Sequence, residues 1–125
     1  MITETSKTYK PLLYSQAEDY RKQSENSHWV VEEVEMTKDV EDYKRGSIDE
    51  QTYIKNILSI FTQSDFNVAN NYLPLLNYVK NNEIRGMVSS FMTREYTHQE
   101  GYAYLNESLG FPDSYYTDFL KHKET

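Results

Sequence analysis

The chain has no cysteine, which removes disulfides, thiolate metal sites and cysteine nucleophiles together. Glycine and proline are scarce, 4 and 3 among 125 residues. So few turn-formers argue for a helical chain. A basic excess is also missing. Thirteen Lys and Arg face 20 Asp and Glu, for a net charge of −7, so no basic face exists to attract phosphate backbones. No apolar run approaches the roughly 18 residues of a membrane span. The polar opening Met1-Ile2-Thr3-Glu4-Thr5-Ser6-Lys7 is no signal peptide. These absences predict an acidic, soluble protein of the cytoplasm.

Aliphatic side chains are in short supply as well. Hydrophobic residues make up 38% of the chain, but 12 of them are Tyr. Setting Tyr aside and counting Gly leaves roughly 31%, against about 45–50% for ordinary globular chains. A chain of this length has little apolar material for a private core.

What is present is helical grammar. Residues 1–11 read as a frayed arm ending at Pro11, and Leu12 to about Ser27 as a short polar helix. Residues 28–46 read as irregular, with the acidic stretch Glu32-Glu33-Val34-Glu35 and a turn at Lys44-Arg45-Gly46. Ser47-Ile48-Asp49-Glu50 has the Ser-x-x-Glu form of a capping box and predicts a long helix to about Val79. Asn81-Asn82-Glu83 suits a tight connection and a new N-cap. A second long helix is expected to Leu109, stopped by Gly110 and Pro112. A third short helix begins near Pro112 and frays out through Lys121-His122-Lys123. The chain thus divides into residues 1–46, an arm with a short helix and an irregular segment, and residues 47–125, a helical hairpin with the start of a further helix.

Both long helices carry a seam with 4, 3, 4, 3 spacing, the mark of a packed helix pair. The first runs through Ile54, Leu58, Phe61, Asp65, Val68, Tyr72, Leu75 and Val79; the second through Ile84, Val88, Phe91, Glu95, His98, Tyr102, Leu105 and Leu109. Asp65, Glu95 and His98 interrupt otherwise apolar seams. A carboxylate in such a position must be paired, protonated or bound to metal, because burying it alone costs several kcal/mol. With the helices folded back about Asn81, Asp65 lies 16 residues before the turn and Glu95 and His98 lie 14 and 17 after it. At about 1.5 Å per residue the three share one level. Glu95-x-x-His98 also sets both side chains on one face. Dinuclear carboxylate proteins use that i, i+3 pair on two helices, with one carboxylate from each of two others.

Plainer roles compete for the same residues. Asp65 can cap a helix that ends early, since Pro74 removes a backbone hydrogen bond and clashes with the preceding turn. His98 can be a hydrogen-bonded core histidine. Tyr102, one turn beyond His98, can be a core filler with its hydroxyl satisfied.

Over roughly residues 14–120 the sequence resembles the N-terminal part of the small, radical-generating subunit of class I ribonucleotide reductase. The likeness rests on His28-Trp29-Val30-Val31-Glu32-Glu33-Val34 with Met36, Asp39 and Asp42-Tyr43, on Ser64-Asp65 with Val68, and above all on Phe91-Met92-Thr93-Arg94-Glu95-Tyr96-Thr97-His98-Gln99-Glu100-Gly101-Tyr102. The resemblance implies an all-α, ferritin-like bundle of which this chain forms part, completed by another chain. It implies that Asp65, Glu95 and His98 ligate a dinuclear metal centre of iron, of manganese or of both. It further implies that Tyr102 carries the tyrosyl radical and that Trp29 relays an electron; otherwise Trp29 is a packing anchor.

The family pattern also requires a second half, with a further glutamate, a further Glu-x-x-His and a tail that docks on the large catalytic subunit. Downstream of residue 109 only Asp113, Asp118, His122 and Glu124 offer metal ligands, without that spacing. The expected function is therefore the N-terminal half of a split small subunit, inactive by itself. Its partners are a C-terminal half, the large catalytic subunit and a second assembled small subunit, in the reduction of ribonucleotides to deoxyribonucleotides. Two other readings stand beside it. Two copies of the hairpin supply four carboxylates and two histidines, enough for a self-assembled oxidase or metal store. Alternatively the chain is a helical interaction module that binds no metal.

Overall fold

A computed structural model describes residues 1–121; His122–Thr125, where the last helix was expected to fray out, lie outside the described residues. Five α-helices follow one another: α1 Ser15–Asn26, α2 Thr37–Arg45, α3 Ile48–Tyr78, α4 Asn82–Ser108 and α5 Ser114–Asp118, with 3-10 turns at Val31–Glu33 and Phe119–Lys121. No strand occurs among the described residues. None of their helices is long and apolar enough to cross a membrane. The all-α expectation holds. The chain forms two compact units, each built from two stretches: residues 1–29 with 67–96, and residues 30–66 with residues from 97 onward.

The capping chemistry read from the sequence is present. Ser47 Oγ accepts from the Glu50 amide at 3.2 Å while Glu50 Oε2 accepts from the Ser47 amide at 2.7 Å, a reciprocal capping box that starts α3. Pro74 sits inside α3, which continues to Tyr78. The lost hydrogen bond there does not end a helix otherwise held by its packed face.

In the first unit, Asn81 is 1% exposed and its Oδ1 accepts from the Ile84 amide at 3.1 Å, capping α4. The N-terminal residues are a docked arm, and the expectation of a frayed one is corrected. Ile2 O accepts from the amides of Lys80 and Asn81 at 2.8 and 3.1 Å, and Ser6 Oγ accepts from the Asn82 amide at 2.8 Å. The amide of Leu13 donates to the buried Glu83 carboxylate at 3.1 Å. The reason is local. A tight turn between two helices leaves backbone donors without intrahelical acceptors, and the arm supplies them. Helix α1 lies beside these residues, with Ser90 Oγ hydrogen-bonded to Ser24 Oγ and Glu25 Oε1 at 2.8 and 2.9 Å.

In the second unit, helix α2 takes up nearly half of a segment expected to be irregular. It buries no residue fully, and its apolar stripe is short: Met36, Val40 and Tyr43, at i, i+4 and i+7, are its half-buried side chains. Charge placement adds to it. Asp39 lies in the first turn and Lys44 and Arg45 in the last, complementing the helix dipole, and Arg45 pairs with Glu41 and Asp42 at 3.7 and 3.5 Å. Glu35 accepts from both the amide and the hydroxyl of Thr37. These bonds hold the Glu35 carboxyl below its ordinary range.

The core of this unit is Leu58, Phe111 and Tyr115, with Tyr43, Tyr102 and Leu105 packed against it. Helix α4 delivers Phe111 through a complete Schellman ending. The amide of Gly110 donates to Glu107 O and that of Phe111 to Asn106 O, each at 3.0 Å, while Gly110 takes φ +87°. Any Cβ is strained at that φ. Gly110→Ala should therefore cost about 1–2 kcal/mol, read as a lower urea midpoint at constant slope.

Tyr115 donates to Lys55 O at 2.6 Å. Burial, then the charges of Tyr116 and Tyr43, push its phenol up to about 12, with a Ser59 hydrogen bond acting the other way. An unfolded tyrosine ionises near 10. Between pH 10 and 12 the unfolded chain therefore releases a proton that the folded one keeps, so stability must fall through that window. A spectrophotometric tyrosine titration run beside alkaline unfolding checks this.

The α3 seam needs one correction. Leu58 and Val79 are buried as expected, but Phe61, Val68 and Leu75 are 47%, 39% and 41% exposed, and Ala69 is buried at 1%. A straight helix has 3.6 residues per turn, so a strict seven-residue step drifts away from the packed line. Thr62, whose Oγ1 accepts from Asn106 Nδ2 at 3.0 Å, faces α4 beside Phe61, which keeps one face on Tyr102 of α4 and turns the other outward.

Candidate metal centre

Asp65 comes from the middle of α3, and Glu95 and His98 from successive turns of α4. One carboxylate oxygen from each acid and one imidazole nitrogen of His98 all lie within 4.8 Å of one another. All three residues are half-buried. The three residues singled out by the interrupted seams are thus brought together. Around a first-row ion, donors sit at about 2.0–2.2 Å, which spaces them up to roughly twice that distance. Closing from 4.8 Å to such a shell takes side-chain adjustment of under about 1 Å. The set of two oxygens and one imidazole nitrogen suits iron or manganese, and three donors leave positions open on a single ion.

The surroundings of the cluster are aromatic. Tyr102 is half-buried and stacks on Phe61, with ring centroids 6.1 Å apart and planes 18° apart. Burial, and after it the Asp65 charge, raise the pKa of the Tyr102 phenol. Burial followed by the Glu95 charge raise that of Tyr72. Both phenols are thereby kept protonated beside the acids. Gln99 Nε2 donates to Asp65 O at 3.4 Å, tying the backbone of α3 at Asp65 to α4. Trp29 is half-buried in the segment between α1 and the 3-10 turn.

Some contributors were not legible in sequence. Asn106 is fully buried and bonds α4 to α3, yet an Asn four residues beyond Tyr102 gave no signal apart from its helical spacing. Arg94 and His28 stood inside quoted motifs without a role, and they form a direct contact at 3.2 Å.

The ribonucleotide reductase small-chain family matches residues 6–124, nearly the whole chain. This chain belongs to that family. It is 38% identical over 118 residues to a probable ribonucleoside-diphosphate reductase small subunit of Invertebrate iridescent virus 6, covering 93% of this chain and 33% of that protein. It is 31% identical over 99 residues to the ribonucleoside-diphosphate reductase small chain of Plasmodium falciparum, covering 78% and 28%. The fold is similar to that of the ribonucleotide reductase R2 subunit from Clostridium botulinum, with a TM-score of 0.79 and 20% identity over 88% of this chain and 36% of that one. This agrees with the expected ferritin-like architecture. The chain spans about a third of the length of the curated relatives it matches.

Proposed function

We propose that this chain is the N-terminal half of a split ribonucleotide reductase small subunit, working with a second polypeptide that corresponds to the remaining length of its relatives. The convergence of Asp65, Glu95 and His98 in a chain of this family carries the reading. Three ligands are half of the set that a dinuclear carboxylate centre uses; the second polypeptide contributes the others. The apolar side chains left exposed along α3, among them Phe61, Phe66, Leu73 and Leu75, support an uncovered bundle face. They also account for the aliphatic deficit, since part of the core belongs to the other chain.

In the assembled centre, Asp65, Glu95 and His98, with the donors of the second polypeptide, would hold a metal pair, iron or manganese, which when bound would supply an oxidising equivalent from dioxygen. Tyr102 gives up the electron and becomes the tyrosyl radical. Burial and after it the Asp65 charge disfavour its phenolate, so Tyr102 starts as the neutral phenol and its oxidation would also release a proton, to water or a carboxylate of the cluster. Trp29 supplies or relays an electron between that centre and the surface, where the large catalytic subunit docks; the radical passes to that subunit, which reduces ribonucleotides. The N-terminal arm and Trp segment, residues 1–46, dock on the ligand-bearing hairpin of residues 47–125. The complex acts in the cytoplasm as a dimer of assembled small subunits.

Metal analysis and electron paramagnetic resonance on the chain alone and on the chain co-expressed with a second-half polypeptide test this. Metal and a radical are expected only in the pair, and Tyr102→Phe removes the radical while keeping the metal. Full loading of the isolated chain as a dimer instead supports the self-assembled carboxylate site.

A further inference from the structure

Arg94 stands immediately before Glu95 on α4 and is half-buried. Its Nη2 lies 3.2 Å from His28 Nδ1, while its Nε and Nη1 are shielded from solvent and have no hydrogen-bond acceptor among the described residues. A guanidinium only donates. His28 Nδ1 is therefore the acceptor in this contact. His28 itself is exposed, so the imidazole is not held by burial, and this directed contact ties it to α4. The residue after His28 is Trp29, whose Cα lies one peptide, about 3.8 Å, away.

A buried guanidinium with two unused donors is an expensive group to keep in place. Helix α4 needs no arginine at this position for its own stability, and α1 has its own ion pair between Arg21 and Glu18 at 2.7 Å. What Arg94 achieves is a link between the helix turn that carries Glu95 and the irregular segment that carries Trp29. That segment begins where α1 ends at Asn26, and the 3-10 turn does not start until Val31. Between them the segment is tied to the turns on either side: the His28 amide donates to Glu25 O at 3.2 Å and Val30 O accepts from the Glu33 amide at 3.0 Å. An indole that exchanges electrons must keep a constant distance to its redox partner, and these turn bonds do not fix the segment against the ligand-bearing turn of α4.

We propose that Arg94 is the positioning residue for Trp29, clamping the His28-Trp29 segment to the ligand turn of α4 through His28 Nδ1. The functional consequence rests on the electron-relay reading of Trp29. The clamp itself does not, and it can be tested on the metal-free chain.

Trp29 is the single tryptophan of the protein, so its fluorescence reports on this segment alone. In the full chain, Arg94→Ala and His28→Ala should each shift Trp29 emission to the red and increase its quenching by acrylamide. The opening equilibrium of the segment, followed by hydrogen exchange, should rise about tenfold, as expected for losing a charge-assisted hydrogen bond. His28→Asn places an amide oxygen close to where Nδ1 lies and should restore the parent emission and quenching; a general loss of packing could not be rescued in that way. The double variant Arg94→Ala/His28→Ala should be no worse than either single one. Unchanged Trp29 emission and quenching in a helical Arg94→Ala protein overturns the assignment. So does His28→Asn behaving like His28→Ala, and because His28 is exposed, that pair decides the matter even if Arg94→Ala does not fold. Failure of the clamp leaves metal loading of the assembled pair unaffected, and failure of metal loading leaves the clamp standing.

Discussion

His98→Ala, in the complex of this chain with its second half, should lose metal by more than about 100-fold in affinity, since even residues that only orient a ligand are worth 10–100-fold. Asp65→Ala and Glu95→Ala should do the same. Each removes one of the three donors that this chain brings within 4.8 Å of one another, a place that the donors of the second half do not fill. The helices should survive. The three side chains are only half-buried, and replacing a half-buried carboxylate by a small apolar residue relieves repulsion between Asp65 and Glu95 as well as removing contacts. The expected pattern is therefore unchanged helicity by circular dichroism, loss of metal by elemental analysis and loss of the Tyr102 radical signal. Tyr102→Phe separates the last two, keeping metal and losing the signal. Metal content equal to the parent in all three alanine variants would falsify the site and leave the helical interaction module as the better reading.

Phe111→Ala should be the most damaging substitution in the second unit, at about 3–5 kcal/mol for a buried phenylalanine. Phe111 is 9% exposed and its ring meets those of Tyr115 at 4.7 Å and Tyr43 at 5.8 Å. It also occupies the position just after the Gly110 turn, where a hydrophobic side chain packs back on its own helix, so its loss loosens the end of α4 together with the core. Against a typical stability of about 5–15 kcal/mol the unit is left marginal. Urea unfolding should show a large fall in midpoint. The Tyr115 titration should move down from about 12 as water reaches the phenol. A midpoint within error of the parent would show that Leu58 and Tyr115 alone sustain this core.

The exposed side of α3 bears on both results. Phe61 is 47% exposed while stacked on Tyr102, so it covers one face of the tyrosine and offers its other side outward. A covering chain that buries Phe61 also dries Tyr102. Stability and site chemistry should therefore respond together when the second half is added.

The sequence by itself determined the class, the two long helices and the convergence of Asp65, Glu95 and His98. Those features rest on local rules: the Ser47–Glu50 capping box, the Asn81 cap, the left-handed Gly110, and the i, i+3 step from Glu95 to His98. A turn at Asn81 and a fixed rise per residue were enough to bring Asp65 level with them. Tertiary structure alone decided the rest. The arm of residues 1–13 is ordered because the turn between α3 and α4 has backbone donors in search of acceptors, a need visible only once the turn exists. Helix α2 forms on a stripe of Met36, Val40 and Tyr43 too short to stand out in sequence, because Tyr43 packs against the Phe111 core and charges and a Glu35 cap support the exposed side. The packed line of α3 drifts to Thr62 and Ala69, while Phe61 keeps only one face on Tyr102 and Val68 turns outward, since 3.6 residues per turn, and not the seven-residue step, sets which side chains face a straight neighbour. The link from Arg94 to His28 joins residues 66 positions apart, and no spacing rule along a chain predicts a bond of that kind.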